Sequence, residues 1–517
     1  MLNLFRFISS FFENQLRWSI IFLVILAVLV RGGWLLARSG QLADDPDAYR
    51  LIAETLARTG VFGTMGAGGD PVATAFRPPL YPWLLSWLVT ARGLSTLAVG
   101  VLHLLLGVGT VCLTWDIARR FLSGGAAWLA GVLVVIDPLL LSQSTLVMTE
   151  TIATFLATLV WWWWLVAVIS QRPVRRGHWR LGPLLDTLIL AGLLGVTYLC
   201  RPTFLVWAVL IGGLLAIAGP ACRLRRTALV LTYGVVLSGT VGFWTMRNQT
   251  AIGKPVWATT HGGYTLLLAN NESFYRYLDS EPLGEPDASD EEIAVSSWWK
   301  RSPWDPADFF ERYARRHQVP PGSLNTEAFW TEPSWSPEPA MAGDGRAEKA
   351  RWTEPQEDEV AYQAAMATIR RHPAQFLRAC LARVIRLWHP IPHLTPGRLP
   401  AMVAAVGLYH SLIGLFVIAA AAIWIRGRYR DRSVGIVQRW CPHARWWPAI
   451  ALVVTLTSVH AVYWSNPRMR APAVPMLSVV AVAGLSRSRR SANYGNRPSN
   501  SLDPTRTCVA PSAIAST

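Results

Sequence analysis

A series of apolar runs, each close to the length of a bilayer, constrains this chain more than any other feature. The first, "WSIIFLVILAVLVRGGWLLA" (18–37), is long enough to cross a membrane as a helix. It is too long, and lacks a small-residue cleavage site, for a removable signal peptide, so it is expected to stay as a span. Comparable runs place spans at about 18–38, 96–117, 126–144, 150–170, 184–200, 203–219, 228–246, 403–425, 448–464 and 471–486. Composition agrees: 52% of residues are hydrophobic and 15% charged, whereas soluble domains carry roughly a quarter charged residues. The expected fold class is an all-α polytopic membrane protein, a bundle of about ten spans.

The net charge of +16 invites a nucleic-acid reading, but its placement argues against one. Arginines gather in short gaps between apolar runs: Arg119-Arg120, "QRPVRRGHWR" (171–180), "CRLRRT" (222–227), "RGRYRDR" (426–432) and "RSRR" (487–490). Short basic loops of this kind mark the cytoplasmic face. With Arg6 and Arg17 inside, the ten-span assignment puts every such cluster on one side. The segments 39–95 and 247–400 then lie outside. The division expected is 1–246, an amino-terminal transmembrane module with the first outer loop; 247–400, an outer loop region; 401–486, the last spans; and 487–517, a disordered cytoplasmic tail.

"RPPLYPWLLSWLV" (77–89) is apolar, too short to span and interrupted by prolines. It is read as a helix at the outer interface, with Tyr81, Trp83 and Trp87 at headgroup depth. In the outer region, Pro- and Trp-rich loops give way to helical periodicity over 358–388, broken near His372-Pro373. Six cysteines show no metal-type spacing, so neither a zinc site nor a disulfide framework is expected. No cofactor is expected. A divalent cation in the acidic first loop is conceivable, but no motif demands one.

Twenty of the 32 acidic residues fall within 247–400, which makes the remaining positions informative. Asp44, Asp45 and Asp47 stand in "QLADDPDAYRLIAETLARTG", just past the first span, and Asp137 and Glu150 flank the outer turn between the third and fourth spans. Outward-facing arginines recur at span ends: Arg77, Arg201, Arg247, Arg468 and Arg470. Carboxylates and guanidinium groups at one bilayer face suit a reaction on a lipid-linked phosphate. Arginine neutralises the phosphate bidentately, and a carboxylate takes a proton from an attacking hydroxyl. Blander readings stand beside this one. "DDPDA" also suits a helix N-cap, Arg201-Pro202 an interfacial anchor, and Glu150 a first-turn partner of the helix dipole.

Along residues 40–480 the sequence resembles the polyprenyl-phosphate-sugar-dependent glycosyltransferases of the GT-C fold, a group that includes protein O-mannosyltransferases and the lipid A aminoarabinose transferase. The segments that carry the resemblance are "DPDAYRLIAETLARTGVF", "AFRPPLYPWLL", "DPLLLSQSTLVMTETIATFLATL", "AGLLGVTYLCRPTFLVW", "FWTMRNQTAIGKPVWATTHGGYTLLLANN" and "NPRMRAPAVPML", in family order. The resemblance implies a GT-C-like bundle in the inner (cytoplasmic) membrane with its active site on the extracytoplasmic face. It implies a polyprenyl-phosphate sugar as donor and a lipid, glycan or protein as acceptor, with inversion at the sugar. Asp45, four residues before Tyr49, takes the position of the catalytic aspartate. The family's second acid is replaced by Pro46, so Asp47 or Asp44 is a substitute. Arg77 and Arg201 take phosphate-binding positions, Glu150 the second acidic position, and Arg470 with Arg468 a further phosphate or sugar contact. His261, Asn270 and Asn271 lie where the outer loop approaches the cavity. The alternatives are a transporter or flippase for a lipid-linked or anionic substrate, a non-catalytic scaffold, and a polymerase or ligase of lipid-linked glycans.

Overall fold

The computed structural model describes residues 16–45, 47–66, 69–168, 182–218, 223–271, 274, 275, 278, 353–391, 400–430 and 441–494. The basic stretch 171–180, the Pro- and Trp-rich part of the long loop (279–352) and the end of the tail (495–517) lie outside the described residues.

The chain is a multi-pass bundle of helices. Among the described residues, seven are long and apolar enough to cross a membrane, or eight if one bent pair counts as a span. In chain order these are α1 (Leu16–Ala37), α4 (Thr96–Ala118), the bent pair α5 (Gly124–Ile136) and α6 (Pro138–Ser144), α7 (Glu150–Trp163, continued by a π turn at Trp164–Val168), α8 (Pro183–Cys200), α10 (Arg223–Ile252), α14 (Pro400–Arg430), and a 3-10 turn (Pro467–Ala473) running into α16 (Val474–Tyr494). The two other expected spans are the shorter apolar helices α9 (Phe204–Ala218) and α15 (Trp447–Val462). α16 runs eight residues past the expected end at 486, so the start of the expected disordered tail is helical.

One contiguous core joins α1, α4, α5, α7, α8, α9 and α16. Within it, three buried tryptophans tie α7 and α9 to the chain that leads into α15. The indole N–H groups of Trp161, Trp164 and Trp207 donate to the carbonyls of Arg445, Ala444 and Pro448, each at 2.9 Å.

Residues 38–95 are less helical than expected. A 3-10 turn (Ser39–Ala43) leads to α2 (Tyr49–Thr59), a two-stranded hairpin β1 (Gly63–Met65) and β2 (Pro71–Ala73), a short helix α3 (Leu80–Ser86), and a second small hairpin β3 (Val89–Thr90) and β4 (Gly93–Leu94). The helix expected within 77–89 is therefore confined to Leu80–Ser86. The chain reverses at Gly93, whose φ of +105° is open to glycine and strained for other residues. Tyr81 is also corrected. It is fully buried, while Trp83 and Trp87 stay exposed on the other face of α3, edge to face at 5.5 Å. The Tyr81 hydroxyl meets His103 Nε2 at 2.8 Å, and His103 Nδ1 meets the Ser144 carbonyl at 2.7 Å. A carbonyl only accepts, so Nδ1 carries the proton and Nε2 accepts from the tyrosine.

Arg50 ties this segment together, donating to the carbonyls of Leu94 at 2.9 Å and Leu42 at 2.5 Å, while Glu54 accepts from the Leu94 N–H at 2.8 Å. Beyond α10, α11 (Gly262–Ala269) packs against α12 (Glu354–Arg371), and α13 (Pro373–Trp388) follows after a break at His372-Pro373, as the sequence predicts.

Candidate functional site

The site begins with a turn. Ala48, the non-glycine residue with positive φ among the described residues (+58°), is held left-handed just before α2, and the two aspartates that precede it, Asp45 and Asp47, have different fates. Asp45 turns towards α2 and caps it: its carboxylate accepts from the N–H groups of Arg50 at 3.0 Å and Leu51 at 2.9 Å. Asp47 turns the other way, towards Arg77. The Arg77 guanidinium donates to the Asp47 carboxylate at 2.8 Å and to its main-chain carbonyl, also at 2.8 Å. Asp44 is exposed at the end of the 3-10 turn.

From Asp47 a chain of charges crosses the bundle end. Arg468, on the 3-10 turn before α16, lies 3.8 Å from Asp47 and 3.6 Å from Glu150. Arg201, at the end of α8, lies 3.4 Å from the same Glu150 oxygen. Two methionine sulfurs close the gaps, Met148 to Arg468 at 2.9 Å and Met469 to Arg201 at 3.0 Å. Glu150 opens α7 and is 1% exposed. Its second oxygen, Oε2, has no hydrogen-bond partner among the described residues. Three guanidinium groups and two carboxylates thus meet from segments that lie up to 421 positions apart, Asp47 to Arg468. Their sum leaves one positive charge in excess, held 12–30% exposed on its arginines.

Aromatic rings flank Arg77. Its guanidinium sits 4.4 Å over Phe76 and 5.5 Å over Tyr49. Phe76 meets His261 edge to face at 4.7 Å, and His261 stacks on Tyr264 at 4.6 Å. Burial, with a smaller push from Arg77, holds His261 well below its ordinary value, so its ring is neutral. Burial raises the Tyr49 hydroxyl to about 12, which keeps it a neutral phenol beside the cluster.

Of the residues singled out in the sequence, Asp47, Tyr49, Arg77, Glu150, Arg201 and Arg468 come together, with His261 behind Arg77. Asp44, Asp45, Asn270 and Arg470 do not. Arg470 is 5% exposed and donates to the carbonyls of Leu387 at 3.2 Å and His389 at 2.6 Å, pinning α13 to the turn. Asn270 is buried and donates to the carbonyls of Leu266 and Val462, while its side-chain oxygen accepts from Tyr275 and Arg383. Asn271 similarly closes the end of α11. Arg247 holds the first segment from α10 through the carbonyls of Thr74 and Phe62. Phe76, Met148 and Met469 carried no signal in the sequence beyond adjacency to an arginine or to Glu150. Among the described residues no three His, Cys, Asp or Glu side chains gather in a way that could hold a metal ion.

No protein-family model and no curated protein matches the chain. Among solved structures it is similar to the archaeal oligosaccharyltransferase AglB from Archaeoglobus fulgidus in complex with an inhibitory peptide and a dolichol-phosphate (TM-score 0.44, 14% identity, covering 94% of this chain and 52% of that one). It is similar to the same organism's oligosaccharyltransferase tethered with an acceptor peptide (TM-score 0.48, 14% identity, 94% and 51% covered). A third likeness is to ArnT from Cupriavidus metallidurans bound to undecaprenyl phosphate (TM-score 0.36, 13% identity, 92% and 78% covered). The chain spans about half the length of the archaeal enzymes it matches.

Proposed function

We propose that this chain is an integral-membrane glycosyltransferase of the GT-C type, which moves a sugar from a polyprenyl-phosphate donor to an acceptor hydroxyl at the extracytoplasmic face of the cytoplasmic membrane. The observation that carries the reading is the cluster Arg77–Asp47–Arg468–Glu150–Arg201, assembled from four separate parts of the bundle at one end. Structural ion pairs near a lipid boundary need one partner each. Here three arginines share two carboxylates, which leaves cationic capacity for an anionic ligand.

The donor phosphate is bound by Arg77, Arg201 and Arg468, with Glu150 setting the angle of the last two. Asp47 is the base. It takes the proton of the acceptor hydroxyl as that oxygen attacks the anomeric carbon from the face opposite the phosphate. The bond from that carbon to the phosphate oxygen breaks, and polyprenyl phosphate leaves with one more negative charge, which the arginines stabilise. Attack from the opposite face inverts the sugar centre. Asp47 replaces the expected Asp45 in this role because both Asp45 oxygens are engaged by α2. A carboxylate base of this kind contributes roughly 10²–10⁴-fold to rate.

The test is transfer by the purified full chain against a panel of polyprenyl-phosphate sugars, with mass spectrometry of the acceptor. Release of polyprenyl phosphate coupled to a gain of one sugar, lost in Asp47→Asn, supports the reading. Transfer of whole glycans points to the polymerase or ligase alternative. Full activity in Asp47→Asn removes the proposed base.

A further inference from the structure

We propose that Arg31 and Asp137, buried in the spans beneath the site, are positioning residues that aim Glu150 by fixing the break in the third span. The proposal rests on the reading of the Glu150 cluster as the active site.

The two helices α5 and α6 meet at 47°, and the bend is forced by Pro138. Proline has no N–H, so the carbonyl four residues back, on Val134, loses its helical donor. In a membrane interior that loss is costly unless another donor arrives. Arg31, from the last third of α1, supplies it: its guanidinium donates to the Val134 carbonyl at 2.6 Å. Tyr409, from α14, donates to the neighbouring Leu133 carbonyl at 2.7 Å. The open carboxyl end of α5 is thus closed by side chains from two other spans, one of them a cation where the helix dipole favours it. Arg31 is 3% exposed, and the bundle makes room for it at Gly107, where a Cβ would lie 3.0 Å from the guanidinium.

Asp137 sits at the break and starts the next helix. One carboxylate oxygen accepts from the Leu140 N–H at 2.9 Å, capping α6. The other faces His410 Nε2 at 3.7 Å. At its far end α6 is locked by His103 on the Ser144 carbonyl at 2.7 Å and by Thr145 on the Gln41 side chain at 2.7 Å. Four residues later the chain reaches Met148, Thr149 and Glu150. A continuous helix through 124–144 would carry this segment along the α5 axis, and Glu150 would miss Arg201 and Arg468. None of these residues touches the reacting groups, so they act through Glu150.

The test uses the full chain in lipid nanodiscs, with transfer kinetics on the donor that the preceding assay identifies and melting temperature as a check on folding. Arg31→Met should raise the donor KM about tenfold while kcat falls less than about threefold, because the phosphate contacts and not the base are displaced. Arg31→Lys still reaches a carbonyl and should recover most of that loss. Asp137→Asn keeps the helix cap and removes the charge; it should raise KM in the same sense, and it carries the test if Arg31→Met does not fold. In a Glu150→Gln background, Arg31→Met should change KM no further, since the group it aims is already altered. Additive losses in that background, or wild-type KM in both single variants, would overturn the proposal and leave the active-site reading intact. Wild-type kinetics in Glu150→Gln alone would overturn the active-site reading, and the positioning role with it.

Discussion

Arg77 holds Asp47 at two points, the carboxylate and the main-chain carbonyl, each at 2.8 Å. One guanidinium therefore fixes both where the acid stands and which way it faces. Asp45, two residues earlier, has its oxygens on the first turn of α2.

Asp47→Asn is expected to lower transfer at least about 100-fold with normal membrane insertion. Asp45→Asn keeps the cap and should transfer within a few-fold of wild type, whereas Asp45→Ala costs about 1 kcal/mol of stability. Transfer assays beside thermal melts on the three variants separate the roles.

Arg468 and Arg470 are two residues apart and do different work. Arg468→Gln should raise the donor KM with little change in melting temperature, because its partners are the cluster carboxylates. Arg470→Gln leaves the Leu387 and His389 carbonyls short of a donor and should lower stability by about 1–3 kcal/mol per unsatisfied buried group. A melt that moved for Arg468→Gln and not for Arg470→Gln would reverse the assignment.

Gly263 is a point of close approach between α11 and α12. A Cβ there would lie 2.0 Å from the Asp358 carbonyl oxygen and 2.9 Å from the Tyr362 nitrogen, both backbone atoms that cannot turn away. Gly263→Ala should therefore loosen α12 from α11, read as faster proteolysis or hydrogen exchange across 354–371. Unchanged protection would count against this packing.

The same contact should depend on pH. Burial lifts the Asp358 carboxyl to about 6, and the Gly263 N–H, which donates to it at 2.6 Å, pulls only partly the other way. The docked carboxyl binds a proton more readily than the free one, so docking is strongest below the usual carboxylate range. It weakens as pH rises to about 6 and is level above that. Asp358→Asn, which still accepts from Gly263, should abolish the dependence and protect α12 more at neutral pH. Exchange rates for α12 between acid and neutral pH decide it.

Glu354 offers a second hold on α12, accepting from the hydroxyls of Thr74 and Thr260 and from the Ala75 N–H at 2.9 Å. Glu354→Gln should release the amino-terminal turn of α12 without altering the pH response of its second turn. A single transition shared by both turns would mean that the two carboxylates do not act separately.

Hydrophobic runs, proline positions and basic loops are local properties, and they made the spans, their order and the break at His372-Pro373 legible in the sequence alone. The resemblance in segment order pointed to the same end of the bundle. Where the sequence reading went wrong, the difference lay in direction. Tyr81 and Trp83 stand two apart on a short helix and face opposite ways, one onto His103 and one outward. Asp45 and Asp47 stand two apart ahead of the left-handed Ala48 and meet different partners, as do Arg468 and Arg470, two apart on a 3-10 turn. Length and polarity are carried by each residue separately, so a chain can announce them before it folds. Which carboxylate meets which guanidinium depends on backbone direction at single positions and on helices packed from distant parts of the chain, and only the folded bundle supplies both.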